Sequence, residues 1–185
     1  MGIFLIKKAY GIVGMPGSGK SEIIKVAREL NIPVFSMGDA IRNELKEKGI
    51  DITPENMGRY MLVIRKNFGL DIVAKKTFER ISECASDKII IDGLRNYEEI
   101  EFFKSKIKHF YIIAVHSSPK TRFLRLKERK REDDSDEWKV FLKRDERELS
   151  VGIGKVIALA DFILDNEKEL KVVQEEFKKL LLNEK

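Results

Sequence analysis

Residues 14–21 read Gly-Met-Pro-Gly-Ser-Gly-Lys-Ser, which fits the pattern G-x-x-x-x-G-K-[ST]. No other stretch limits so sharply what the chain can fold into. The pattern works only where a buried strand delivers the chain into a tight turn and a helix leaves it. Both flanks comply: residues 8–14 (KAYGIVG) form an apolar run of strand length, and an amphipathic helical pattern follows to about residue 30. Gly14, Gly17 and Gly19 let successive backbone amides curl around a phosphate, with Met15, Pro16 and Ser18 completing the loop. The start of the helix adds its positive dipole end. Lys20 supplies a mobile cation for the β- and γ-phosphate oxygens, and Ser21 offers a hydroxyl to Mg²⁺. ATP with Mg²⁺ is the ligand this chemistry expects.

Beyond the loop, short apolar runs alternate with longer amphipathic stretches. Residues 33–37, 88–92 (KIIID), 110–115 and 162–165 are further strand candidates, rich in β-branched and aromatic side chains. Helical patterns cover 38–48, 70–86, 97–106, a segment opened by Pro119, part of 130–150, and 167–182. Another runs to Asn67 from Thr53, an N-cap, and Pro54, a first-turn proline. Strands alternating with helices predict an α/β fold, a parallel sheet covered on both faces. The 185 residues suffice for one core, and no repeat or linker divides them. Residues 152–155 (GIGK) imitate a nucleotide loop but lack a preceding strand, so they read as the start of a helix and a hinge.

Composition removes several function classes. The one cysteine, Cys84, and the two histidines, His109 and His116, exclude a disulfide framework and a cysteine-based zinc site. No apolar run approaches the roughly 20 residues of a membrane span, and no signal-peptide pattern opens the chain, so a cytoplasmic protein without membrane partners is expected. A single glutamine amid abundant Lys, Glu and Arg is a thermophile-like bias. The formal charge of +5 is concentrated: residues 120–131 hold seven Lys and Arg against one acid. A basic segment of that kind suits a phosphate ligand, and a diffuse nucleic-acid surface is not indicated.

Asp92 closes the KIIID run. An acid at the carboxyl end of a parallel strand faces the crevice where ligands bind, so Asp92 is a candidate to hold Mg²⁺, mainly through water. The next residue is Gly93, so the glutamate that activates water in hydrolytic ATPases is missing. No N-K-x-D guanine-recognition motif occurs either.

Gly38-Asp39-Ala40-Ile41-Arg42 resembles the G-D-x-[LI]-R motif of the adenylate kinase-like nucleoside monophosphate kinases. Asp92-Gly93-Leu94-Arg95 resembles their D-G-[FY]-P-R, one residue shorter and without the proline. The resemblance implies a P-loop NTPase fold with a parallel five-stranded sheet in the order 2-3-1-4-5 within a single domain. It also implies an acceptor-binding insertion near 38–86 and a short lid near 127–147. Arg42 and Arg95 would grip the acceptor phosphate beside Gly93, and Asp39 would join Ser21 and Asp92 around Mg²⁺. Arg65 would be either a further acceptor-phosphate ligand or a surface ion pair. Met37 stands where adenylate kinases often carry Thr.

The arginines after the fourth strand resemble the same family's lid. By that resemblance Arg125 would lie by the donor base and Arg129 by the phosphates, with Arg131 beginning R-x-D-D and Arg144 as the distal member. Such arginines stabilise charge spread over a transferring phosphoryl group. The ending Ala160-Asp161-Phe162-Ile163-Leu164-Asp165-Asn166 resembles that of dephospho-CoA kinases, which puts Asn166 near the donor adenine. Over nearly its whole length the chain is similar to a little-characterised archaeal family of nucleotide-kinase-like proteins. The implied activity is transfer of the ATP γ-phosphoryl group to a nucleoside monophosphate. A hydroxyl acceptor, with Asp39 as its base, and an RNA-associated ATPase that keeps the kinase fold remain open.

Overall fold

The computed structural model describes residues 6–129 and 136–182. Five strands, β1 (Lys8–Val13), β2 (Val34–Ser36), β3 (Lys88–Asp92), β4 (His109–His116) and β5 (Phe162–Asp165), form one parallel sheet in the order β2-β3-β1-β4-β5. This is the order expected. It brings the ends of β1 and β3 side by side, with Ile12 opposite Asp92. The phosphate loop after β1 therefore sits next to the acid that ends β3.

Strand alternation divides the core in two. Ala9, Val13, Ile89, Ile91, Ile112 and Ala114 belong to one buried layer, and Tyr10, Ile12, Ile90, Ile113, Val115 and Leu164 to the other. The second layer is closed by α1 (Lys20–Glu29) and α9 (Leu170–Leu182), through Ile23, Ala27, Val173 and Phe177. The first is closed by α2 (Met37–Glu47), α4 (Ile72–Ser82), α5 (Tyr97–Lys106) and α8 (Ile153–Ala158), with Met61 and Ile64 of α3 (Pro54–Phe68). Two further helices, α6 (Pro119–Arg129) and α7 (Trp138–Val151), follow β4. Gly11 makes the first layer possible beside the loop: a Cβ there would stand 2.3 Å from Leu94 Cδ1 and 2.8 Å from Phe110 Cζ.

Boundaries shift where local chemistry intervenes. Thr53 caps α3 as expected, accepting from the Asn56 amide. The pattern over 70–86 shortens to α4, and Met37 begins α2 rather than ending β2. The last helix begins at Leu170, because Glu167 is used elsewhere: its carboxylate accepts from the Ser118 amide and the Thr121 hydroxyl at the start of α6. Gly152, at φ 112°, ends α7 and caps α8, in line with the helix start read there.

Candidate phosphoryl-transfer site

The loop between β1 and α1 is fastened from behind. Asn166 Nδ2 donates to the Ser18 carbonyl at 2.8 Å, and Arg122 Nη1 to the Pro16 carbonyl at 3.1 Å. The Met15 carbonyl accepts from the Ser18 amide at 3.1 Å. Gly19 holds φ 92° as the N-cap of α1, and a Cβ there would lie 2.1 Å from Asn166 Nδ2. Glycine is required twice over at this position, by conformation and by space. With the carbonyls engaged, the Glu22 amide already donates to the Gly19 carbonyl at 3.0 Å, while the amides of Lys20 and Ser21 precede any helical acceptor and suit an anion.

A cleft of about 720 Å³ opens above the loop. Gly14, Pro16, Gly17, Gly19, Lys20 and Ser21 line one side; Arg42, Asp92, Gly93, Leu94 and Arg95 line another; Arg125, Arg129, Arg144, Glu128 and Glu148 line a third. Residues from the phosphate loop, α1, α2, the end of β3, α6 and α7 thus converge on one volume.

Lys20 lies at its floor. Nζ donates to the Gly14 carbonyl at 2.5 Å and reaches Met15 O at 3.4 Å. Burial lowers its pKa from 10.5 to about 8; Asp92 and Glu148 oppose that shift, while Arg95 and Arg129 add to it. Burial likewise raises the Asp92 carboxyl, against Lys20 and Arg95, which favour its charge. Asp92 Oδ1 is buried without a hydrogen-bond partner among the described residues. A half-buried carboxylate with an orphaned oxygen, beside the Ser21 hydroxyl in the same cleft, is an oxygen donor set that fits a hydrated Mg²⁺. Asp39 is placed differently. It pairs with Arg42 and does not line the cleft, although its charge reaches Asp92.

Arg42 and Arg95, the arginines expected to grip an acceptor phosphate, both line the cleft. Arg95 Nε lies 3.3 Å from Glu148 Oε2, and Nη1 lies 3.0 Å from Met61 Sδ. Gly93 turns the chain at φ 95° between Asp92 and Arg95. Arg65 does not join them. It is 5% exposed and donates to Glu99 at 2.7 Å, so neither expectation for it, acceptor ligand or surface pair, describes its place. The reason is register: Arg65 is on the face of α3 that carries the buried Met61 and Ile64, turned toward α5. Glu99 also accepts from the amides of Arg95 and Asn96, so this buried pair braces the turn that presents Arg95.

The basic segment divides likewise. Arg129 and Arg144 line the cleft, and Arg131 lies outside the described residues. Arg125 lines it too, while donating to Ser117 Oγ at 2.9 Å and to the Asn166 carbonyl at 2.7 Å. Asn166 itself, expected beside the donor base, is 2% exposed and packed against the loop. Arg122 was not expected to matter. It is buried, forks onto Asp145 at 2.8 and 2.5 Å, and reaches the Pro16 and Ser117 carbonyls. One guanidinium therefore joins the phosphate loop, the end of β4 and helix α7. Its spacing of three from Arg125 gave a hint, but Asp145 is 23 residues away and nothing local pairs them. Glu148 was also missed, because one acid among the charges of α7 carries no motif.

Comparison with known proteins places this architecture. Residues 13–141 match the family described as AAA domain. A UPF0200 protein of Methanocaldococcus jannaschii is 47% identical over 163 residues, covering 87% of this chain and 82% of its own. A UPF0200 protein of Methanococcus vannielii is 44% identical over 184 residues, covering 95% and 98%. Among solved structures, TT1252 from Thermus thermophilus matches with a TM-score of 0.66 at 16% identity, over 95% of this chain and 97% of that one. A shikimate kinase from Bacteroides thetaiotaomicron gives 0.63 at 16% identity, over 94% and 98%. At such identity the likeness concerns the fold alone.

Proposed function

The chain belongs to the UPF0200 family, and its residues 13–141 to the family described as AAA domain; from that premise we propose that it is an ATP-dependent phosphotransferase acting on a phosphate-bearing small molecule, a nucleoside monophosphate first. One observation carries the reading. Arg42 and Arg95 line the same cleft as the phosphate loop, Lys20 and Asp92. Two guanidinium groups opposite a donor cradle are what a dianionic acceptor needs.

The residues divide the work. The loop amides and Lys20 hold the β- and γ-phosphates of ATP. Mg²⁺, held by Ser21 and Asp92 mainly through water, would neutralise charge between those phosphates. Arg42 and Arg95 orient the acceptor phosphate, whose oxygen is ionised at neutral pH and requires no base. Arg129 and Arg144 line the cleft, where guanidinium could meet charge on the transferring group, and on this reading the segment near 127–147 is the short lid and 38–86 the acceptor insertion. For a hydroxyl acceptor Asp39 would have to serve as base. Its pairing with Arg42, away from the cleft lining, favours the phosphate acceptor instead.

The test is purified protein with ATP, Mg²⁺ and a panel of nucleoside monophosphates, with dephospho-CoA as the hydroxyl control and RNA-stimulated hydrolysis as the ATPase control. Transfer to at least one monophosphate, lost in Lys20→Ala, is expected. Hydrolysis without any acceptor, or turnover of the hydroxyl compound alone, would sink the reading.

A further inference from the structure

The phosphate-acceptor reading leaves one carboxylate of the cleft without a task. Asp92 suits a cation, Glu22 is bonded to Lys25 in solvent, and Glu128 is exposed. Glu148 is none of these. It projects from α7 into the cleft, its side chain only 13% exposed, with Oε2 at 3.3 Å from Arg95 Nε. Its charge also acts on Lys20. A negative group stands between the donor lysine and the acceptor arginine of a site that has to collect phosphates.

The molecule's other internal ion pairs show what a permanent strut looks like here. Arg65 and Glu99 meet at 2.7 Å with 5% and 0% exposure, and Arg122 grips Asp145 with two short bonds at 4% and 11%. Among the described residues the Arg95–Glu148 pair has a single long contact, Arg95 is 35% exposed, and its guanidinium otherwise meets the Met61 thioether. Such a contact is weak and easily exchanged. A phosphate dianion would offer the same guanidinium two charged oxygens.

We propose that Glu148 is an internal stand-in for the acceptor phosphate, occupying Arg95 until an acceptor displaces it. The proposal rests on the phosphate-acceptor reading. Glu148 holds the Arg95 guanidinium in the cleft while no acceptor is bound. It also makes stray anions compete with a carboxylate already in place. An acceptor that engages Arg42 as well brings enough contacts to break the pair, and inorganic phosphate alone does so poorly. Glu148 is in this sense a positioning residue that sets acceptor affinity. It accepts no proton and forms no bond to the transferred group.

The experiment is calorimetric binding of AMP and of inorganic phosphate to the full chain loaded with Mg²⁺ and a non-hydrolysable ATP analogue. Glu148→Gln keeps the shape and removes the charge. Both probes should bind about tenfold tighter than to the unaltered protein, a gain that mere loss of structure cannot produce. Glu148→Asp draws the carboxylate back and should give about two- to threefold, which decides the matter if the Gln variant does not fold. Unchanged or weaker binding of phosphate in the folded variant overturns the proposal. So does loss of transfer with unchanged binding, which would make Glu148 a base. Failure of the kinase reading shows separately, as absence of phosphorylated product from the unaltered protein.

Discussion

Lys20 makes nucleotide binding a proton-uptake reaction at alkaline pH. Its pKa in the ligand-free cleft is about 8, lowered from 10.5 chiefly by burial. Phosphate oxygens beside the ammonium favour the charged form and draw that pKa back up. Above pH 8 the free protein has lost a proton that the complex retains. The affinity lost grows by up to roughly tenfold per pH unit above 8, and reaches about 3 kcal/mol where the complex restores the ordinary value of 10.5. Titration calorimetry in two buffers of different ionisation heat reads it directly. At pH 7 about 0.1 proton and at pH 9 about 0.9 proton should be taken up per nucleotide, after subtracting the same titration of Lys20→Met. Stability follows with the opposite sign. A folded-state pKa below the unfolded value means that the native chain binds fewer protons, so this group's contribution rises with pH between about 8 and 10.5. Equal uptake at both pH values, or uptake unchanged in Lys20→Met, would refute the assignment of the buried cation.

Burial raises the Asp92 carboxyl above its ordinary 3.8, so that group's contribution to stability falls as pH rises through the raised value. Asp92→Asn should therefore raise the melting temperature of ligand-free protein at neutral pH while abolishing Mg²⁺-dependent transfer; a lower melting temperature contradicts the cause given. Arg122→Met leaves Asp145 buried and unpaired, and should cost about 3–5 kcal/mol by denaturant titration, with most of the loss recovered in Arg122→Met/Asp145→Leu. Gly19→Ala forces a left-handed residue against Asn166 Nδ2, costing about 1–2 kcal/mol for conformation alone and, by distorting the loop, at least tenfold in nucleotide affinity; intact affinity by fluorescence titration would mean that the loop tolerates the shift.

What a short stretch of chain does by itself was legible in the residues. The phosphate loop is contiguous backbone, so its glycines, Lys20 and Ser21 declare it. The β-branched KIIID run ended by Asp92, the Thr53 cap and the alternation of strands with helices are equally local. The strand order and the choice of Arg42 and Arg95 came from family resemblance; the sheet has that order, and both arginines line the cleft.

Tertiary structure alone decided which charges reach the cleft. Arg65 and Arg42 look alike along their helices, yet one is sealed against Glu99 and the other opens on the loop, because α3 and α2 turn different faces to the core. Arg122 and Arg125, one turn apart, divide into a strut to Asp145 and a cleft-lining group. Asn166 was drawn from the nucleotide toward the Ser18 carbonyl, 148 residues earlier, where a buried acceptor needed a donor. A side chain's ionic role depends on burial and on partners distant in sequence, and those are set only when the sheet brings its helices together. The octapeptide by itself determined that this chain can cradle a phosphate, since the groups that do so are its own backbone amides. The folded cleft decided which arginines line it beside the loop and which carboxylate pairs with Arg95.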